Sequence, residues 1–296
     1  MSETSASTLP VRLYHAPSSY YSMIARLSLA EAGLAYAPVF MDLHARSSQQ
    51  APSYARLNPN MTVPTLVGPD FVLIESRAIA EFALGQREAE LDAETRAWLA
   101  LHYGFPIEEL TFGNLLARSR LARVLIPRRL ASAERRLEAM AAANPDLAKI
   151  YTARAAVFAR RVATFEPDQA IALAARRQSE ARSFLDRLET TLADGRDAIV
   201  PARYGLADVV WTVFLGRIEF AGMGAEIAVR PALRRYWRAM QARPSFAGAD
   251  IWTRLHVGRL IAGILWPPEA SATSTSPTLF RPLRSLLGPQ REGIQR

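Results

Sequence analysis

The 296-residue chain contains no cysteine, which excludes disulfides, thiolate metal sites and a cysteine nucleophile. It contains one lysine, Lys149, so the formal charge of +8 is carried by arginine. A pI near 10.2 raises the question of nucleic acid or an acidic membrane face. The arginines are interleaved with glutamates along amphipathic segments, however, and no recognised nucleic-acid motif accompanies them. Long apolar runs are also missing. Residues 209–215 and 260–266 are the most apolar stretches, well short of the roughly 20 residues of a transmembrane helix. Residues 1–10 lack both the basic region and the apolar core of a secretory signal. The expectation is a cytoplasmic protein without a transmembrane segment. Four histidines, His15, His44, His102 and His256, are too scattered to suggest a metal site.

Half of the residues are apolar, and the length exceeds a comfortable single core, so two packed domains are expected. Residues 11–15 suit a short strand, followed by a turn at Ala16-Pro17-Ser18-Ser19. Residues 20–32 suit a helix, which Gly33 stops as a C-cap residue would. Residues 35–42 suit a second strand, giving a right-handed βαβ unit. A polar stretch over 44–56, with a short helix near Tyr54, leads to strands at 65–67 and 71–74. The turn sequence Gly68-Pro69-Asp70 joins these strands. A helix over 76–84 closes a β-α-β-α-β-β-α unit.

From residue 92 to about 265 the pattern is helical with sparse glycine. Helices are expected over 98–121, 130–142, 147–161, 168–192, 209–220, 230–242 and 251–264, with 209–220 apolar enough to be a buried central helix. The expected boundaries are residues 11–85, 92–265 and an extended or partly disordered tail over 267–296. The tail is long enough to embrace a partner subunit.

Two motifs carry chemical information. Val63-Pro64 precedes the first hairpin strand, and Glu75-Ser76 opens the helix after the hairpin. Val-Pro alone is most simply the start of an edge strand, and Glu-Ser alone is a helix cap with a first-turn acid. Their spacing favours a common ligand.

The element order, Asn58-Pro59…Val63-Pro64, Glu75-Ser76 and the helical second half resemble the cytosolic glutathione S-transferase superfamily over residues 11–265. Residues 204–212, Arg217-Ile218-Glu219 and 230–246 are similar to the branch of tetrachlorohydroquinone reductive dehalogenases and lignin β-aryl-ether cleaving enzymes. The insertion around residues 126–129 and 144–160 fits that branch. The resemblance implies an α/β thioredoxin-like N-terminal domain followed by an all-α C-terminal domain. It implies glutathione as cosubstrate, with Pro64 in cis and Val63 pairing to its cysteinyl backbone. Glu75 would meet the γ-glutamyl ammonium. Ser76 and the helix-start amides would take its carboxylate, with Arg77, Met61 and Thr62 on the same surface.

Counting back fourteen residues from Gly33, the register of serine- and cysteine-type transferases, gives Ser19 as the group that stabilises the thiolate. Ser22 is an alternative, though a first-turn serine is often only a local backbone partner. The dehalogenases carry a cysteine where this chain has Tyr21, so their disulfide exchange is not available. Tyr14, Tyr20 and Tyr21 are expected near the thiol or the pocket. His102, Tyr103, Phe105, Phe112 and Trp211 would wall the pocket of a hydrophobic aromatic substrate. Asp208 is assigned a structural role at the start of the buried helix, where Gly205 replaces the family's Ser or Thr. The implied activity is thiolate attack on a bulky aromatic electrophile, of which a lignin-type β-aryl ether is one. A weakly catalytic or non-catalytic subunit of a homodimer or heterodimer is the alternative.

Overall fold

A computed structural model describes residues 11–43, 47–201, 204–256 and 258. His44 and the tail over 267–296 lie outside the described residues. The N-terminal part runs β1 (Arg12–His15), α1 (Tyr20–Glu31), β2 (Ala37–Phe40), α2 (Pro52–Leu57), β3 (Thr65–Val67), β4 (Val72–Leu73) and α3 (Ser76–Leu84). Its sheet has the order β2-β1-β3-β4. β1 pairs parallel with β2 and antiparallel with β3, and β3 pairs antiparallel with β4.

α1 begins where Ser19 accepts a hydrogen bond from the Ser22 N–H at 3.3 Å and ends before Gly33 at φ +65°, a left-handed conformation that glycine adopts without penalty. Both faces of this helix are covered. Ala25 and Leu29 pack on Leu13, Leu66 and Ile79, whereas Tyr20, Met23, Ile24 and Leu27 belong to the large core of the helical part.

That part comprises α4 (Ala93–Gly104), α5 (Ile107–Arg118), α6 (Arg120–Ala143), α7 (Ala148–Thr164), α8 (Pro167–Thr191), α9 (Leu206–Phe220), α10 (Gly224–Ala228), α11 (Pro231–Ala242) and α12 (Pro244–Gly248). The single helix expected over 98–121 is two, because Pro106 disfavours helical geometry at Phe105 and the chain bends there. Conversely, the helix expected from residue 130 starts at Arg120 and runs through Pro127. Residues 251–256 are not helical. Ile251 and Trp252 are instead buried in the core, and the Trp252 N–H meets Met23 Sδ at 3.4 Å.

α9 is the buried centre: every residue from Leu206 to Ile218 is buried. Its N-terminus is built from distant residues. Asp208 accepts from the N–H groups of Gly205 and Ile199, both at 2.9 Å, and from Tyr236 Oη at 2.8 Å. Gly205 supplies no cap, and Gln86 Oε1 does so instead, accepting from the Leu206 N–H at 3.0 Å. A Cβ on Gly205 would stand 3.2 Å from that oxygen, so the glycine makes room for the cap.

α6 and α7 form a hairpin over the N-terminal part. Leu137, Leu147, Tyr151 and Ala155 enclose Ala55 and Met61. Tyr151 Oη donates to Gln50 O at 2.8 Å, and Arg136 reaches Gln50 and Ser47 at 2.8 and 2.6 Å.

Candidate functional site

The Val63-Pro64 peptide is cis. The loop before it is wound around Asn58, which is fully buried. Asn58 Nδ2 donates to Thr62 O and Thr65 Oγ1, both at 2.9 Å, and its Oδ1 accepts from the Asn60 N–H at 3.0 Å. Tyr54 Oη adds a 2.6 Å bond to Thr62 O. These contacts fix the direction in which the Val63 backbone faces. The Val63 side chain is buried with Ala16, Met41 and Tyr54, so the turn before α1 and the proline loop share one wall. Tyr14 packs in this cluster, its ring 5.6 Å from Tyr54, and not against a cleft.

Glu75 is the N-cap of α3 without bonding its own helix. Its carboxylate accepts from Asn60 Nδ2 at 3.2 Å, which joins the proline loop to the helix start. Ser76 follows, 3% exposed. No acidic side chain lies within the first turn of α3, so its orphan amides form an anion site beside one carboxylate. Arg77 is directed elsewhere, held by Glu81 at 2.8 Å and Glu88 at 2.9 Å.

Ser19 is half-buried at the N-terminus of α1, whose first turn carries no acidic residue. Its oxygen accepts from Ser22 N–H, leaving the hydroxyl proton free to donate. Ser22 is fully buried, and its own Oγ accepts from the Ala16 N–H at 3.4 Å; it is a local backbone partner. Two buried arginines hold the turn ahead of Ser19. Arg26 donates to Ala16 O at 3.2 Å and Pro17 O at 3.1 Å, and Arg217 donates to Ser18 O at 3.3 Å. Arg26 also binds Ala249 O and Asp250 O, at 2.7 and 3.1 Å. The sequence reading missed both arginines, although a charged residue inside the apolar 209–220 run was the available signal.

Tyr21 lies between the two halves. Burial, then Glu108, then Glu75 push its phenol up to about 12, so it stays protonated and donates. Tyr103, whose buried oxygen has no partner, is likewise pushed up by burial, with the Ser76 hydroxyl opposing. The other expected wall residues sit elsewhere. Tyr20 Oη and His102 Nε2 are 2.6 Å apart inside the interdomain core. Burial lowers His102 to about 3. Phe105 packs edge-on against Phe184 and Phe214. Trp211 is fully buried, its Nε1 donating to Trp98 O at 3.2 Å. Phe112 packs on Phe165 in the α5–α6–α8 cluster.

The cleft that does open beside Tyr21 has a volume of about 390 Å³ and includes Pro106, Ile107, Glu108, Val157 and Phe165. Apart from Tyr21, it is built from α5, α7 and their flanks, and sequence reading did not foresee it. Another cavity, of about 270 Å³, lies at the interdomain linker near Gln86 and Asp208; it contains the α9 cap, not the serines. Among the described residues no three His, Asp or Glu converge to hold a metal. None of the described helices is long and apolar enough to cross a membrane.

Comparisons with known proteins agree with this arrangement. Residues 9–84 match the family profile of the glutathione S-transferase N-terminal domain, and residues 171–239 match that of the C-terminal domain. The chain is 32% identical over 248 residues to the tetrachloro-p-hydroquinone reductive dehalogenase of Sphingobium chlorophenolicum, covering 81% of this chain and 96% of that one. It belongs to the glutathione S-transferase family.

Among solved structures, the β-etherase LigF of Sphingobium sp. strain SYK-6 superposes with a TM-score of 0.59 at 20% identity, over 81% of this chain and 98% of that one. A glutathione transferase family member from Pseudomonas fluorescens, solved with two glutathione molecules bound, gives 0.55 at 21% identity, over 84% and 95%. These likenesses are likenesses of fold. This transferase-family chain has the small mixed sheet followed by helices that they share.

Proposed function

We propose that this chain binds glutathione in extended form along Val63 and uses its thiolate to displace a leaving group from an aromatic substrate in the Tyr21 cleft. The observation that carries this reading is the convergence of three pieces. The cis Val63-Pro64 loop is tied through Asn60 to Glu75, and it packs on Ala16 at the foot of the Ser19 turn. The peptide backbone of Val63 suits the cysteinyl unit. Glu75 suits the γ-glutamyl ammonium, and Ser76 with the α3 amides suits its carboxylate. Arg77, bound to its own helix and to Glu88, is a supporting residue and not a ligand.

The thiol then faces the start of α1. Helix-start potential and the Ser19 hydroxyl both favour the thiolate over the thiol, whose ordinary pKa is about 8.5. In the displacement the sulfur–carbon bond forms as the carbon–oxygen bond of an aryl ether breaks, and the departing aryl oxide takes a proton. Tyr21, protonated and close by, is placed to donate a hydrogen bond to that oxide. Reductive dehalogenation through a protein disulfide has no counterpart in a chain without cysteine. The fold likeness to a β-etherase supports the ether as the electrophile class.

The test is glutathione calorimetry, followed by turnover of an aromatic β-ether ketone. Ser19→Ala is expected to lower kcat by about 10²-fold, the cost of one donor to a developing or resident anion, while glutathione affinity is retained. Glu75→Gln is expected to weaken glutathione roughly tenfold. Binding without turnover in wild type leaves a non-catalytic binding subunit; turnover untouched by Ser19→Ala places thiolate stabilisation elsewhere.

A further inference from the structure

The cleft beside Tyr21 is unbalanced in charge. From α7, Arg154 and Arg161 both face the Phe158 ring, at 5.3 and 5.5 Å from its centroid. Arg161 also lies 5.6 Å from the Phe165 centroid on the cleft wall. The Nε atoms of both arginines are buried and without a hydrogen-bond partner. A third guanidinium, Arg217, is 5% exposed at the base of the Ser19 turn, and its Nε is also unpartnered.

Against these three cations stands one carboxylate. Glu108 pairs with Arg161 at 2.8 Å and acts electrostatically on Arg154, Arg217 and Tyr21. The neighbouring Glu109 is taken by Arg177 at 2.8 Å. Arg154 makes no ion pair among the described residues. A buried charge without a partner is costly in an apolar setting, and its guanidinium is correspondingly pulled down to about 10 by burial and then by Arg161. Stacking on phenylalanine rings compensates such a cation only in part.

Resting on the reading of this cleft as the electrophile's site, we infer that it selects an aromatic substrate bearing a carboxylate, whose ring packs on Ile107 and Phe165 while Arg154 and Arg161 take the anion. A carboxylate matches the planar fork of a guanidinium, and its charge would bring the arginine cluster closer to balance. Glu108 then has a second role, as the charge that holds Arg161 in place when the cleft is without substrate.

Two conjugates of similar shape test this in calorimetry: S-(4-carboxybenzyl)glutathione and S-(4-methylbenzyl)glutathione. Wild type is expected to prefer the carboxylate by at least about tenfold, as charge-assisted bonds give, with the preference shrinking as salt is raised. Arg154→Met and Arg161→Met should each reduce the preference to within about twofold. Glu108→Gln should widen it, a change in the opposite direction that loss of folding cannot mimic. Equal affinities in wild type, or tighter binding of the methyl conjugate, would overturn the inference while leaving the glutathione site intact. So would binding of glutathione with rejection of both conjugates. Failure to bind glutathione itself removes the underlying reading.

Discussion

His102 shows how a side chain with catalytic potential becomes structural. Its ring stacks on Tyr20, with centroids 5.8 Å apart, and the Tyr20 phenol, held protonated by burial, donates to Nε2. Nδ1 is buried without a partner, and nothing offers the imidazolium a counter-charge. With the folded-state value lowered to about 3 and an unfolded value near 6.5, the unfolded chain gains a proton first as pH falls. Stability is therefore unaffected by this group above about 6.5 and declines below it, at up to ~1.4 kcal/mol per pH unit. His15, also lowered by burial and by Arg26, acts in the same direction. Denaturant unfolding between pH 7.5 and 5 should show a loss about 2 kcal/mol smaller in His102→Gln than in wild type. An identical loss in both proteins would mean that His102 ionises normally in the fold. Tyr20, His102, Phe105 and Trp211 were all legible as apolar or aromatic positions on helices. Which stripe faces a cleft and which faces the core was not, because both have the same period.

The elements themselves were legible where chemistry marks their ends. Gly33 closes α1, and Gly68-Pro69-Asp70 separates β3 from β4. Boundaries without such marks failed: the α4–α5 break falls inside an apolar-periodic run, and α6 carries Pro127 within it. The start of α9 is a different case. Gly205 reads locally as a weak cap, and no local rule reveals Gln86, 120 residues earlier, as the real acceptor for Leu206. Two consequences belong to this helix end. Gln86→Ala should destabilise by about 1 kcal/mol, the usual effect of losing an N-cap. Asp208→Ala leaves two backbone N–H groups and the Tyr236 hydroxyl without their acceptor, so about 3 kcal/mol is expected. Glutathione affinity should be unchanged in both, as measured by calorimetry beside urea unfolding. Lost activity at an unaltered unfolding midpoint would contradict the structural assignment of Asp208.

The whole molecule assembles its site from both halves. The proline loop, Glu75 and Ser76 come from the sheet part, and they were readable because their spacing in sequence is short. The cleft needs Tyr21, the α4–α5 bend and α7, which the α6–α7 hairpin sets beside the N-terminal part through Tyr151, Arg136 and Met61. Helical periodicity announces those helices but not where the hairpin docks. The Ser19 turn is held from the far end of the chain as well, since Arg26 bridges Ala16 and Pro17 to Ala249 and Asp250, and Arg217 reaches in from α9. Titration of the thiol of bound glutathione by its ultraviolet thiolate absorbance examines this assembly most directly. The thiol should ionise at least about one unit below its ordinary value near 8.5 in wild type, and return toward that value in Ser19→Ala with binding preserved. A bound thiol with an unshifted pKa in wild type, or no bound glutathione at all, would contradict it.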